Sequence, residues 1–405
     1  MKNQNYYWRF AGNEKKYLAD ILKTGLKPKK RKTYNQILEK KWSKYHKLDY
    51  SITLNSCTSA LHVALLSIGC KAGDEVLVPS LTPVMTANAI IFTGATPIFV
   101  DVDEDTFLID PQDVIRKITK KTKAILLVHM YGGINNSNIF SKIAKKNDLL
   151  IIEDCAESMG AKDENGVSAG KMSDIACWSF QGAKHLTCGD GGIASTSNKK
   201  LAEKIRKYSN LGFQFLSANA DKIIANKDKL QNPEAKRFEL IGYNYRMNEF
   251  SAAIVLAQFE RVNFFLNLRR KAGYGFMKVI NGSKILKSQK ISKKTYSTFY
   301  TFSAKLIDEK ISWRKFRKKF IELGGEPIYA ASKILQDEPS IKKSRLGRCF
   351  KTCKINCVCS GTPIAKKLQK QIFNFTTNQK SVADIKTQIL ALKNTLIFFK
   401  KKNEK

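Results

Sequence analysis

The sequence predicts an α/β protein with a mostly parallel mixed sheet, sandwiched between helices, in its first half and a smaller α+β domain in its second half. From Ser51 to about Gly212, short apolar runs alternate with segments of helical pattern, which is typical of a wound α/β domain. Several runs are apolar nearly throughout, as expected of strands that helices cover on both faces. The predicted strands are 76–79, 97–102, 124–130, 149–153, 175–180 and 192–196.

Helical patterns separate these strands and continue beyond them. The predicted helices of the first half are 59–68, 84–92, 111–118, 138–145 and 202–208. Residues 213–238 are polar and irregular, which predicts an excursion or a lid, whereas 249–270 keeps apolar residues at helical spacing and predicts one connector helix. We therefore expect a basic N-terminal arm with helices over 1–50, a large domain over 51–255, and the connector with a small domain over 256–405.

Length and composition exclude several classes of protein. The chain has 405 residues, of which 43% are hydrophobic and 26% charged, so it can bury a large core without disulfides or a structural metal. Its first residues lack the basic-then-apolar pattern of a signal peptide, and its apolar runs are too short to cross a bilayer. We expect a cytoplasmic protein without a membrane segment.

The charge balance is strongly basic, with 71 Lys and Arg residues against 35 Asp and Glu residues. The excess lies towards the two ends, because 51–280 carries 28 basic and 23 acidic residues. Such an excess can bind nucleic acid or an anionic membrane surface. The basic residues are scattered lysines without regular aromatic interleaving, and the one dense run is 27–32. This pattern favours a solvated, lysine-rich surface, and we predict no nucleic-acid site.

The nine cysteines are odd in number and unevenly spaced, which indicates free thiols in a reducing compartment. The last four are crowded and carry enough sulfur for zinc or an iron–sulfur cluster. Their spacing fits neither kind of site, so packed or exposed thiols are the favoured interpretation and no metal is predicted. These four are Cys349, Cys353, Cys357 and Cys359.

Three segments together carry a chemical signal. An apolar strand ends at Asp154, Lys184 stands alone in a loop of small residues after a later strand, and the hydroxyl-rich run 55–61 enters a helix. Taken singly, they have ordinary explanations as a strand-end cap, a surface lysine and a helix N-cap. Together they provide what pyridoxal phosphate requires, namely an anion site at a helix N-terminus, a carboxylate for the pyridine nitrogen and a lysine for the imine.

Seven segments, in order along the chain, resemble the DegT/StrS-type sugar aminotransferases. They are NSCTSALHVAL (55–65), GDEVLVPSLTPVMTANAI (73–90), GATPIFVDVDEDTFLID (94–110), VHMYGG (128–133), IIEDCAESMGA (151–161), WSFQGAKHLTCGDGG (178–192) and GYNYRMNEFSAA (242–253). The resemblance covers about 30–400. It implies a fold type I, pyridoxal-phosphate-dependent aminotransferase whose large domain binds the cofactor, and a homodimer with shared active sites.

The resemblance also implies roles for individual residues. Lys184 corresponds to the lysine that holds the cofactor covalently and later moves a proton, and Asp154 to the partner of the pyridine nitrogen. Glu157 stands where the family more often has a Gln that approaches the cofactor's phenolic oxygen. Further implied cofactor residues are Thr58, Ser59, Pro83, Ser179 and Asn244, of which Asn244 reaches the neighbouring subunit's phosphate. The implied substrate residues are Gln181, His185 and Arg246; for Gln181 and His185, holding the lysine loop is an equal alternative.

Two positions depart from the family pattern. Pro83 stands where the family commonly has an aromatic residue that stacks on the cofactor ring, and Cys57 stands where many relatives have Gly. A sister class of sugar dehydratases has His in place of the lysine. His185 is one residue too late to be that His, so the lysine favours an aminotransferase.

The predicted activity is transfer of an amino group, with glutamate as donor, to a nucleotide-linked 4-keto-6-deoxyhexose for surface polysaccharide or glycan synthesis. A 3-keto-sugar aminotransferase and a sugar dehydratase are the alternatives among enzymes. A basic regulator built on a degenerate aminotransferase fold is the alternative that is not an enzyme. The intact pair of Lys184 and Asp154 argues against that regulator.

Overall fold

A seven-stranded mixed sheet forms the centre of the protein, whose computed structural model describes residues 6–26, 32–219, 227–343 and 361–403. In chain order the strands are β1 (Tyr50–Leu54), β2 (Glu75–Pro79), β3 (Thr96–Val100), β4 (Thr122–Val128), β5 (Leu150–Asp154), β6 (Ile175–Ser179) and β7 (Gly192–Thr196). Their spatial order is β1-β7-β6-β5-β4-β2-β3. Strand β7 runs antiparallel to both of its neighbours, and the remaining pairs are parallel.

Helices surround this sheet and lead into the C-terminal part. The α-helices of the described chain are α1 (Glu14–Thr24), α2 (Tyr34–His46), α3 (Cys57–Ser67), α4 (Met85–Phe92), α5 (Pro111–Lys117), α6 (Ser137–Lys146), α7 (Lys199–Ser209), α8 (Lys227–Gln231), α9 (Glu249–Phe259), α10 (Val262–Ile280), α11 (Trp313–Glu322), α12 (Pro339–Lys343), α13 (Pro363–Gln369) and α14 (Val382–Asn403). Short 3-10 helices occupy Tyr6–Phe10, Met130–Gly132 and Leu335–Asp337. None of the described helices is both long and apolar enough to cross a membrane.

The sheet is buried on both faces, which explains why its strands are apolar nearly throughout. In β4, Leu126 and Val128 belong to the core cluster beneath α3, whereas Ile125 and Leu127 belong to the cluster on the opposite side with Phe140 of α6. Successive strand residues point to opposite faces, so a strand covered on both sides needs an apolar residue at every position.

A second, smaller sheet lies in the C-terminal part. Its strands are β8 (Leu286–Ser288), β9 (Thr301–Leu306), β10 (Tyr329–Ala330) and β11 (Ile372–Thr376), all antiparallel in the order β10-β11-β9-β8. Aromatic side chains pack this sheet against α10 and α11, among them Phe276, Phe302, Phe316 and Phe375. The predicted fold class, a mostly parallel mixed sheet between helices with a smaller α+β part, is confirmed.

Most predicted elements are confirmed within two or three residues, and two points differ. Strand β1 was not predicted; it is short, and it pairs with β7, a strand more than 130 residues later in the chain. The predicted connector helix 249–270 was wrong as a single helix, because it breaks after Phe259 into α9 and α10. The break contains Glu260, whose carboxylate binds Tyr17 and Lys41 of the N-terminal arm. The boundaries 1–50, 51–255 and 256–405 stay a prediction.

The chain collects its functional segments at one edge of the large sheet. The parallel strands β4, β5 and β6 all end at this edge, α3 begins there after β1, and β7 starts there because it runs the opposite way. Residues that follow β5 and β6 are therefore brought close to the start of α3. Open α/β sheets bind their ligands at the carboxyl ends of their strands.

Candidate active site

Lys184 lies in the loop between β6 and β7, and only 13% of its side-chain surface is exposed. Its Nζ atom is 3.1 Å from Oε1 of Glu157 and 4.3 Å from the ring centroid of Tyr300. Burial by itself would lower the pKa of this amine. Glu157, Tyr300 and Asp154 outweigh burial and raise the pKa above its ordinary value. The structure therefore holds Lys184 as a buried ammonium group.

Glu157 faces Lys184 because a strained turn fixes its other carboxylate oxygen. Oε2 accepts a hydrogen bond of 2.9 Å from the amide of Tyr131. Tyr131 has a φ of 65°, in the left-handed region that residues other than glycine rarely adopt. A Cβ atom on the next residue, Gly132, would lie 2.7 Å from the backbone N of Phe299. Glycine is therefore required at 132, and the close packing keeps the Tyr131 amide directed at Glu157.

Asp154 is the last residue of β5 and is buried, with 7% of its surface exposed. Its Oδ1 atom accepts a hydrogen bond of 3.0 Å from the amide of Ala156. Burial raises the pKa of this carboxyl from 3.8 to about 6, although the Ala156 amide and the charge of Lys184 act in the opposite direction. A cation placed against Asp154 would restore the ordinary preference for the ionised form.

The N-terminus of α3 has the form of an anion site. Its N-cap is Ser56, whose Oγ accepts a hydrogen bond of 3.1 Å from the amide of Ser59. The amides of Cys57 and Thr58 have no hydrogen-bond partner within the part of the chain that the structure describes. The hydroxyl of Ser59 is bound to Oδ1 of Asn55 at 2.7 Å, so in this arrangement Ser59 supports the cap network.

Gly192 brings the start of α3 against the sheet. It pairs with Leu54 on one side and with Ser179 on the other. A Cβ atom at this position would lie 2.4 Å from the backbone C of Ser56 and 2.5 Å from the backbone N of Cys57. The absence of a side chain at Gly192 therefore allows the N-terminus of α3 to lie close to Ser179. Ser179 is half-buried.

Three further residues predicted to bind cofactor or substrate, Pro83, Gln181 and His185, differ in their burial. Pro83 is half-buried just before α4, and its carbonyl accepts a hydrogen bond from the Thr86 hydroxyl at 2.9 Å. Gln181 is exposed, and its Oε1 atom accepts a hydrogen bond from the Ala183 amide. His185 is 2% exposed, and its Nε2 atom is 3.4 Å from the carbonyl of Thr298. The burial of His185 favours the alternative in which it holds the loop over a position facing the substrate.

Asn244 and Arg246 lie on the outer side of an extended segment. Both are exposed, while the alternating residues Tyr243 and Tyr245 stack their rings on each other at a centroid distance of 5.0 Å. The Tyr245 hydroxyl lies 3.2 Å from Nδ1 of His62 on α3. Because the tyrosines face α3, the exposed side chains of Asn244 and Arg246 lie on the solvent side of the segment.

Three site residues were missed by sequence reasoning. Tyr300 contributes the ring beside the Lys184 ammonium group. The guanidinium groups of Arg9 and Arg269 bind the backbone of the lysine loop. No local pattern marks any of them, because their contacts join segments far apart in the sequence.

A buried cluster beneath Asp154 has the residue types of a metal site. The ligand atoms of His129, Glu153 and Cys155 lie within 4.8 Å of one another. The Nε2 atom of His129 is 2.8 Å from Oε1 of Glu153, and its Nδ1 atom accepts a hydrogen bond from the amide of Asn135. These polar atoms already have partners, so we interpret the cluster as structural support. The crowded cysteines from 349 to 359 lie outside the described residues.

Comparison with known proteins shows to which family the chain belongs. The family model of the DegT/DnrJ/EryC1/StrS aminotransferases matches residues 10–330. The chain belongs to this family. It is therefore an enzyme that depends on pyridoxal phosphate.

Named relatives and solved structures agree with this membership. The GDP-perosamine synthase of Escherichia coli O157:H7 is 36% identical over 298 residues, which are 74% of this chain and 76% of the relative. The solved aminotransferase of Psychrobacter cryohalolentis is similar with a TM-score of 0.83 and 24% identity, covering 95% of this chain and 96% of that one. A Bacillus subtilis protein, ntda, solved with bound pyridoxamine phosphate, has a TM-score of 0.78 and 24% identity, covering 96% and 84%.

The residues of this site fit pyridoxal phosphate. The buried hydroxyls of Ser80 and Thr82, which follow β2 at the same sheet edge, have no partner among the described residues. The first-turn amides of α3 suit the phosphate, the Asp154 carboxylate suits the pyridine nitrogen, and the Lys184 amine suits the aldehyde carbon.

Asp154→Asn should change how the stability of the cofactor-free protein depends on pH. With a pKa of 3.8 unfolded and about 6 folded, the folded state binds more protons at Asp154 between these values, so the contribution of Asp154 to the free energy of unfolding falls by up to about 3 kcal/mol as the pH rises from 4 to 7. Asn removes this titration and can still accept the Ala156 hydrogen bond. Urea unfolding should show equal stabilities near pH 4 and a more stable variant at pH 7.

The matched control for this measurement is Asp49→Asn, because Asp49 is exposed. Its pH profile should follow the wild type. An Asp154→Asn protein that is less stable than wild type at pH 7 would contradict the desolvated carboxyl group.

Proposed function

We propose that this enzyme transfers the amino group of L-glutamate to a nucleotide-linked 4-keto-6-deoxyhexose. Glutamate becomes 2-oxoglutarate, and the sugar ketone becomes an amine. The observation that carries the proposal is the buried Lys184 ammonium group, held by Glu157 close to Asp154, in a chain 36% identical to a GDP-perosamine synthase. The aminated sugar would enter surface polysaccharide or glycan synthesis.

Each residue has a defined task in this proposal. The bound cofactor supplies an electron sink for charge that develops on the substrate carbon. Asp154 keeps a proton on the ring nitrogen, and that cation in turn favours the ionised carboxylate against the effect of burial. Lys184 must lose a proton before it can act as a nucleophile, and Glu157 Oε1 at 3.1 Å can accept it. The free Lys184 amine then removes and returns the proton at the substrate carbon.

The alternatives differ in what they require of the same site. A dehydratase of the sister class has no lysine at the position of Lys184. A 3-keto-sugar aminotransferase would use Lys184 and Asp154 in the same way, but it would add the amino group at another carbon of the sugar. The relative named GDP-perosamine synthase favours the 4-keto substrate over this alternative. We also propose a cytoplasmic location, because the five cysteines in the described chain are free thiols.

The substrate is tested with a panel of GDP-, dTDP- and UDP-linked 3-keto and 4-keto deoxyhexoses, incubated with L-glutamate and the enzyme. Mass spectrometry should show a 4-amino sugar together with one 2-oxoglutarate per product. A product that has lost water without gaining nitrogen would indicate a dehydratase. Turnover of none of the keto sugars would reject the proposed function.

Two lysine variants show whether turnover depends on the proposed site. Lys184→Arg keeps the positive charge but has no primary amine, and it should reduce turnover at least about a thousandfold. Lys117→Arg is the matched control, since Lys117 is also buried and ion-paired, with Asp113 at 3.0 Å, but lies on α5. It should keep wild-type turnover.

The active unit is proposed to be a homodimer with shared sites. Asn244 lies on the solvent side of its segment, and two strongly exposed apolar residues precede it, Phe238 at 60% and Ile241 at 88% exposure. Phe92, 56% exposed, packs on His62 beside the same extended segment. We take these exposed apolar residues as part of the proposed subunit interface, and a two-fold dimer would place Asn244 of each subunit near the other.

Mixing two inactive variants tests the shared site. Lys184→Ala and Asn244→Asp should each be inactive alone, because one lacks the amine and the other places a negative charge at a phosphate. Random dimers of the two should regain about a quarter of wild-type activity, because half of them are mixed and each has one intact site. An active monomer by light scattering, or no recovery despite proven subunit exchange, would reject the shared site.

A further inference from the structure

Four consecutive backbone carbonyls of the lysine loop are bound by two buried arginines. Arg9 donates to the carbonyls of Gly182 at 2.8 Å, Lys184 at 2.5 Å and His185 at 3.1 Å. Arg269 donates to the carbonyl of Ala183 at 3.2 Å. Carbonyls of a surface loop ordinarily face water, so this arrangement gives residues 182–185 a fixed backbone on both sides of Lys184.

Arg9 reaches the loop from the N-terminal segment of the chain. It lies in the 3-10 helix Tyr6–Phe10 and is only 1% exposed. The neighbouring Trp8 anchors this helix, with its ring 5.8 Å from the ring of Phe265 on α10. A guanidinium group is costly to bury, so its charge must be met by acceptors, and the loop carbonyls are acceptors of that kind.

Arg269 reaches the loop from α10 and also binds the C-terminal part. Its Nη1 atom donates to the carbonyl of Tyr300 at 2.7 Å and to the hydroxyl of Thr377 at 3.1 Å. The ring of Tyr300 is the one that lies beside the Lys184 ammonium group. The Arg269 side chain therefore fixes the backbone next to Lys184. It also fixes Tyr300, whose ring the Lys184 amine contacts.

We propose that Arg9 and Arg269 are positioning residues that hold the backbone of 182–185 so that Lys184 Nζ stays beside Glu157 and Asp154. The N-terminal segment is then part of the active site, although it lies far in the sequence from β5 and β6, the strands that position Asp154 and Lys184. This inference rests on the proposed role of Lys184. A purely structural role for Arg9 would affect the stability of the protein and leave the loop and the lysine unchanged.

The test compares Arg9→Lys, Arg9→Gln and Arg9→Ala in the full-length holoenzyme. The first measurement is hydrogen exchange at the amides of Ala183 and Lys184, which are bonded to Gln181. The second is the pH midpoint of the absorbance change of the bound cofactor. Arg9→Ala should speed loop exchange by at least about tenfold and move the midpoint by about half a pH unit. Arg9→Lys should retain part of both properties.

Arg206→Lys is the matched control, because Arg206 is also buried but binds Glu39 and the carbonyl of Ala218, away from the loop. It should lower stability while leaving loop exchange and the midpoint at wild-type values. Arg269→Lys should repeat the effect of Arg9→Lys from the other side. If Arg9→Ala does not fold, Arg9→Gln provides the comparison, since an amide can bond fewer of the carbonyls.

A folded Arg9→Ala or Arg9→Gln protein with wild-type loop exchange and a wild-type midpoint would overturn the proposal. The loop measurement needs no sugar substrate. Faster loop exchange in Arg9→Ala, in an enzyme that turns over none of the keto sugars, would therefore reject the proposed substrate and leave the positioning role in place.

Discussion

The site depends on keeping a lysine charged while it is almost entirely removed from water. A buried ammonium group is stable only where its charge is met, and here Glu157, Tyr300 and Asp154 meet it. The surrounding structure follows from this requirement. Tyr131 adopts a left-handed backbone conformation so that its amide can fix the far oxygen of Glu157. Glu157, whose negative charge favours the protonated form of Lys184, is also the group that can accept this proton.

The sheet supplies the rigid frame in which these charges are arranged. Residues buried on both faces hold β4, β5 and β6 in place, and the polar groups appear only where those strands end. Close backbone approaches then complete the site, at Gly192 beside the start of α3 and at Gly132 beside Phe299. A side chain at Gly192 would displace the N-terminus of α3, and one at Gly132 would displace the strained turn at Tyr131. The two glycines therefore allow α3 to approach the sheet and the Tyr131 turn to approach Phe299.

Sequence patterns alone could single out the candidate site residues that have a local signature. Asp154 ends an apolar strand and Lys184 stands in a loop of small residues, so both could be predicted from their neighbours. Arg9 could not, because its contacts join residues more than 170 positions apart and a single arginine in a basic chain carries no signal. The same reason explains why β1 was missed, since its pairing is with β7. The position of His185 was not predictable either, because its Nε2 atom contacts the carbonyl of Thr298, more than 110 positions later in the chain.

The proposed chemistry requires that Lys184 is the residue that holds the cofactor. Borohydride reduction of the holoenzyme, followed by proteolysis and mass spectrometry, tests this most directly, because reduction fixes the cofactor on the lysine to which it is bonded. We expect a pyridoxyl group on the peptide that contains Lys184 and on no other peptide. A pyridoxyl group on any other lysine, with the Lys184 peptide unmodified, would contradict it.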